Sequence, residues 1–250
     1  MGRVNANAAN ALGTLGAICW SIQVIPQIVK SHKSKSTRGL STWLMLCWAS
    51  AGLPLGTYNI VQGFNVPLIV QPQMFAALCA LSWAQCLHYS HNWTRKQAFG
   101  AWLAFCAVVG GLEVGLVYAC RVGKDKAIEA PTLLFGIIAA VLTLGGLIPQ
   151  YYEIYKLKAV IGLSFVFLTI DILGALVSCL SLVFEEDFDV LASVAYGGLV
   201  VLELAVVVLA MVLNPMMRRR ARLERERAEA MNLEIMDDRP GALNPATNAA

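Results

Sequence analysis

Seven apolar runs of about 20 residues, the length an α-helix needs to cross a bilayer, constrain this chain more than any other feature. They cover residues 9–29, 40–62, 66–89, 98–120, 131–155, 162–184 and 190–213. Lipid offers the backbone no hydrogen-bond partner, so open strands are excluded within such runs. The polar connections are short, which predicts a compact all-α bundle of seven transmembrane helices. Composition agrees: 58% of the 250 residues are hydrophobic and 14% charged, against about 25% charged in a soluble domain. The N-terminal MGRVNANAANALG holds one Arg and no clean basic region, and the apolar run leads straight into a longer span, so the first run is expected to be an uncleaved signal anchor.

The loop charges predict an orientation. The first, third and fifth loops and the start of the tail carry twelve basic residues, whereas the opposite side carries four. The positive-inside rule then puts the N-terminus outside or in a lumen and the C-terminus in the cytosol. The acidic stretch Glu185–Asp189 falls on the lumenal side, and the sequon at Asn92 on the cytosolic side, where it is expected to stay unmodified. From Asn214 the chain becomes a charged, helix-prone tail whose Arg cluster suits anionic headgroups, and its last residues read as disordered. All seven cysteines lie in or beside apolar runs, without metal-ligand spacing, and are expected to act as small packing residues.

The chain also repeats itself. IPQIVKSHKSKSTRGLS, from Ile25 to Ser41, is matched by IPQYYEIYKLKAVIGLS, from Ile148 to Ser164, at an offset of 123 residues. Ile-Pro-Gln and Gly-Leu-Ser recur at equal spacing. The offset also lays the third run on the seventh and leaves 98–120 unpaired. The expected organisation is a segment 1–89 with three helices, a linker helix with its loops over 90–130, three more helices over 131–213, and a tail from 214 to 250. The linker crosses once, so the two units are parallel, a plan known among transporters that bind solute between their halves near the midplane.

On these paired motifs the sequence resembles the PQ-loop repeat family, which includes the lysosomal cystine exporter cystinosin, vacuolar and lysosomal cationic amino-acid exporters and, more distantly, SWEET sugar transporters and the KDEL receptor. The resemblance covers about residues 12–213. A further Pro72-Gln73 stands outside the repeat register.

Pro26 and Pro149 each remove a backbone donor and crowd the preceding turn, so each predicts a kink. Gln27 and Gln150 can supply an amide to the freed carbonyl or to a neighbouring helix. Residues alone allow a hinge or a static kink, and the resemblance implies the hinge. Three acids fall deep within runs, at mid-bilayer: Glu113, Asp171 and Glu203. Acids inside a membrane are costly and usually face a polar interior. Asp171 lies nine residues beyond Gly162, about 14 Å into its run, and Glu203 reaches a similar depth from the other face. The resemblance ties Asp171 to proton coupling, with Glu203 a second candidate; for both, packing is the alternative. Glu113 belongs to the linker.

In the repeat register Trp48 stands opposite Asp171. The first copy has no acid there, which departs from the cationic amino-acid exporters, and the sixth run has no proline, which departs from the sugar carriers. Trp48 either stacks on a substrate or fills the core. Gln73, Trp83, Gln85 and Tyr196 are further candidates for a substrate cavity. No nucleophile–base pair, metal cluster or phosphate loop suggests an enzyme, no cofactor is expected, and nothing points to nucleic acid. The resemblance implies a transporter, proton-coupled, moving an amino acid or similar small polar metabolite across a vacuolar, lysosomal or other organelle membrane. Its expected partners are that solute, protons and the bilayer. The alternative is a non-transporting membrane protein: a sorting receptor or a lipid-related factor.

Overall fold

A computed structural model describes residues 5–64, 66–128, 130–184 and 190–237. The acidic stretch 185–189 and the terminal residues 238–250 lie outside them. Among the described residues the only regular secondary structure is helical: α1 (Ala6–Ile22), α2 (Val24–Ser34), α3 (Thr42–Gln62), α4 (Val66–Ser90), α5 (Arg95–Asp125), α6 (Ala130–Gly145), α7 (Leu147–Leu157), α8 (Phe165–Leu182) and α9 (Val190–Asp237). With α1–α2 and α6–α7 each counted as one continuous rod, seven helices are long and apolar enough to cross a membrane. The chain is a multi-pass membrane protein.

The two bends follow from proline chemistry. Pro26 and Pro149 lack the N–H that would bond four residues back, and their rings crowd the carbonyls of Ile22 and Gly145. The helix is interrupted one residue beyond each of these, at Gln23 and Gly146. Both residues stay in the right-handed helical region, with φ −54° and ψ −35° at Gln23 and φ −59° and ψ −25° at Gly146. The rods therefore bend without unwinding.

Beyond the bends the two copies behave alike. α2 and α7 end on Lys35 and Lys158, each left-handed at φ 50°. The helices that follow start on Ser41 and Ser164, whose hydroxyls accept from the amides of Leu44 and Phe167. Both serines cap orphan amides in the usual way. This moves the sixth span's start from 162 to Phe165, because Gly162, Leu163 and Ser164 form a loop and a cap.

Packing runs between distant parts of the chain. α1 lies along α8, α3 along α6, and α3 and α4 pack most extensively. Glycines allow the close approaches: a Cβ on Gly16 would collide with Ser178 Oγ, and one on Gly52 would collide with Ala76. α5 packs on α3 and α4 and is otherwise exposed, as lipid-facing surface would be. A capping box of Thr94 and Gln97 starts it beyond the expected span. The charged tail is no separate element, since α9 continues through Pro215 to Asp237. At the start of this extension Asn214 exchanges two hydrogen bonds with the Val160 backbone, at 2.8 and 2.9 Å.

Candidate functional site

At the face carrying the Pro-Gln segments, the two glutamines are exchanged. Gln27 is buried; its Oε1 accepts from the Ser164 amide at 2.7 Å and its Nε2 donates to the Gly162 carbonyl at 3.2 Å. Gln150 is buried as well; its Oε1 accepts from the Ser41 amide at 2.8 Å and its Nε2 donates to the Gly39 carbonyl at 2.8 Å. Each Pro-Gln glutamine thus clasps the Gly-Leu-Ser of the other copy. The freed carbonyl of its own helix is not its partner.

The two loops meet back to back. A Cβ on Gly39 would stand 2.8 Å from the Gly162 amide nitrogen, and one on Gly162 would run into the Gly39 carbonyl. Gly39 also has φ +84°, which glycine adopts at little cost. Lys30 adds a brace from one side only: its ammonium donates to the carbonyls of Ile161 and Leu163. The corresponding residue of the second copy is Glu153. Every hydrogen-bonding atom of the two glutamine side chains is satisfied, and this end of the bundle is closed.

A cavity of about 160 Å³ lies on the other side of this closure. Its floor is made by Trp20 of α1, Gln23 at the bend that follows, Trp48 of α3, Thr143 of α6 and Asp171 of α8, in the middle of the bundle. Its walls rise toward the opposite membrane face along the end of α3 (Leu55, Tyr58, Asn59 and then Phe64) and the starts of α4 (Gln71, Phe75), α6 (Gly136, Ala139, Ala140) and α9 (Ala195, Tyr196, Leu199). Phe64, at the rim, is exposed. Glycines seat both floor indoles: a Cβ on Gly174 would stand 2.8 Å from the Trp20 indole, and one on Gly146 would stand 2.7 Å from that of Trp48.

The acidic group sits where α1, α8 and α9 converge. Asp171 is six residues into α8, about 9 Å along its axis, and both it and Glu203 are buried. Their carboxyls face each other, and the Trp20 indole and the Gln23 amide lie beside Asp171. Two ionised carboxylates contain no donor, so neither can satisfy the other. Trp20, Gln23 and the two carboxyls lie within reach of one another, yet none of the four carboxyl oxygens, nor Trp20 Nε1 or Gln23 Oε1, makes a hydrogen bond of good geometry. Native interiors rarely leave such atoms unpaired, and a cluster of them calls for a proton, water or ligand. A proton between the two carboxyls supplies one donor and removes the repulsion of two like charges.

The remaining candidates are distributed unevenly. Trp48 and Tyr196 line the cavity. Trp48 also packs on Phe75 and Phe167, with ring centroids 5.7 and 5.8 Å away, and its Nε1 donates to the Thr143 carbonyl at 2.9 Å. Tyr196 leans on Trp20 at 5.1 Å. Gln73, Trp83 and Gln85 do not line this cavity. Gln73 turns toward α5 and donates to Glu113, next to Gly56, whose missing Cβ leaves room for both side chains. Trp83 packs on Phe105 of α5, and Gln85 donates to the Ile28 carbonyl. Gln73 and Trp83 turn from the cavity wall toward α5, whereas Gln85, on the same face of α4 as Gln71, lies near the other end of that helix beside α2. Pro72 does not interrupt α4, because Asn59 Nδ2 donates to Leu68, the carbonyl that Pro72 leaves free, at 2.7 Å.

Trp20, Gln23, Tyr58, Asn59, Gln71 and Phe75 were not apparent from sequence. The available signal was weak: Trp20 and Gln23 are three apart, hence on one helix face, just ahead of the proline bend.

Comparison with known proteins agrees with the duplicated motif. The PQ loop repeat family matches the chain twice, over residues 8–68 and 133–191. An uncharacterized protein of Schizosaccharomyces pombe is 41% identical over 217 residues, spanning 87% of this chain and 76% of its own length. An uncharacterized membrane protein of Saccharomyces cerevisiae is 36% identical over 205 residues, spanning 81% of this chain and 66% of its own. With two matched repeats, a crossed pair of Pro-Gln clasps and relatives at this identity, the chain belongs to the PQ-loop repeat family.

Proposed function

We propose that this protein is a proton-coupled secondary transporter of a small polar metabolite of about amino-acid size, organised as two parallel three-helix units joined by α5. The observation that carries this reading is the cavity between the two motif copies, which ends on a buried carboxyl pair without a hydrogen bond of good geometry. Asp171 faces the cavity and Glu203 stands behind it, so a proton and a solute compete for the same charge. In this state the Pro-Gln face is closed and the opposite face is open. Alternating access requires the Gln27 and Gln150 clasps to part while the bends at Gln23 and Gly146 flex. The loop charges favour a cytosolic Pro-Gln face and a lumenal cavity mouth, which suits export from an acidic organelle such as a vacuole or lysosome.

Purified protein in liposomes with an imposed pH gradient provides the test. Gradient-driven flux of a screened solute is expected in the wild type and is expected to vanish in Asp171→Asn. Gradient-driven flux that survives this substitution removes the coupling role. Binding of a peptide or movement of lipid with no solute flux at either pH favours a receptor or lipid-related role instead.

A further inference from the structure

The reading above leaves the solute's charge open, and the lining of the cavity bears on it. An amino acid or other carboxylate needs a cationic group or a helix N-terminus to hold it. None of the cavity-lining side chains is Lys, Arg or His. The two helix bends on the floor stay in helical conformation, so neither frees a set of backbone amides toward the cavity. Beside the neutral polar groups of Gln23, Asn59, Gln71 and Thr143, the lining offers one acid and five aromatic rings: Asp171 with Trp20, Trp48, Tyr58, Phe75 and Tyr196. Aromatic faces carry negative potential and attract organic ammonium ions, and the carboxyl of Asp171 in the same cavity adds to that attraction.

Resting on the proposed transport role, we propose that the solute is an organic monocation, an amine or quaternary ammonium without a carboxylate, seated among these rings against Asp171. One proton shared between Asp171 and Glu203 leaves the pair a single negative charge, which one such cation balances. A zwitterion would bring a second negative charge beside the first with no cationic side chain in the lining to balance it.

The test compares three probes of similar size on the full-length protein in detergent and in liposomes: choline, its neutral isostere 3,3-dimethylbutan-1-ol, and the zwitterion glycine betaine. Binding is followed by calorimetry and by quenching of tryptophan fluorescence, since Trp20 and Trp48 lie on the floor. Choline is expected to bind at least tenfold tighter than either competitor. In Asp171→Asn, choline is expected to fall to the level of the isostere while the isostere is unchanged. Betaine or the isostere matching choline overturns the proposal, as does a failure of choline to bind the wild type. The wild-type ranking needs no variant, so misfolding of Asp171→Asn leaves the test intact. Choline that binds but does not cross liposomes defeats the transport reading and keeps the cation site. Gradient-driven flux of another solute without choline binding does the reverse.

Discussion

The Pro-Gln face and the cavity above it are made from the same duplicated segments, yet they follow opposite rules. At the face, every feature of one copy but the Lys30 brace is answered in the other. Ser41 and Ser164 cap their helices, Lys35 and Lys158 turn the chain, and each glutamine holds the opposite Gly-Leu-Ser. The buried polar atoms of this clasp are paired. In the cavity the correspondence ends: Trp48 stands where the other copy has Asp171, Ala80 where it has Glu203, and Gln23 where it has Gly146. There the carboxyl oxygens of Asp171 and Glu203, with Trp20 Nε1 and Gln23 Oε1, make no hydrogen bond of good geometry. Symmetry was kept where two loops must fit each other and lost around the cavity, where the proposed transport role needs one solute and one proton. A site on an axis of exact symmetry presents each group twice, and two copies of a buried acid cost more than one.

The first way to break this contrast is at the glycines. Gly162→Val places a branched side chain against the Gly39 backbone, which cannot yield as a flexible side chain would. It is expected to cost more than about 4 kcal/mol and to abolish a cooperative melt in detergent. A variant that melts like wild type would show that the two loops are not in contact.

Next come the glutamines. Gln27→Ala and Gln150→Ala each strand one buried amide and one buried carbonyl, at about 1–3 kcal/mol per group. The two losses are expected to be similar, and the double variant to lose less than their sum if the clasps support one another. Thermal melts of the singles and the double decide this. A large loss from one and none from the other would mean that the face is not functionally symmetric.

In the cavity the expected order of effects reverses. Asp171→Asn and Glu203→Gln remove a charge that lacks a partner, so stability is expected to hold or to rise by about 1 kcal/mol while flux is lost. A drop of several kcal/mol in either would assign the acids to structure. The smallest effect belongs to Trp48, which serves both regions. Trp48→Phe keeps a ring against Phe75 and Phe167 but gives up the bond to the Thr143 carbonyl, at about 1 kcal/mol, and a thermal melt measures it. A much larger loss would place Trp48 with the clasp rather than with the cavity.

Much of the fold was legible because it depends on local chemistry. Run length gave the seven spans, proline gave the two bends, and equal motif spacing gave the duplication. Asp171 and Glu203 stood out because an acid within an apolar run is conspicuous. The misplaced features share a different cause. Gln73 and Trp83 lie on α4, but the rotation of that helix about its own axis is set by its neighbours, and α5 receives them; Gln85 lies too near the Pro-Gln face and bonds to α2. The linker acid Glu113 gained its partner by the same rotation.

The sequence by itself determined the spans, the repeat, the bends and the presence of two intramembrane acids, since each is written in residues a few positions apart. Only the tertiary structure decided which partners those residues take. Gln27 and Ser164 are 137 residues apart in the chain, and no periodicity links them; the contact exists because α1–α2 packs along α8 and α3 along α6–α7. The same crossed packing brings Trp20 and Gln23 beside Asp171 and Glu203. A pair of recurrent glutamines thus becomes a closed face, and two isolated acids become one charged site.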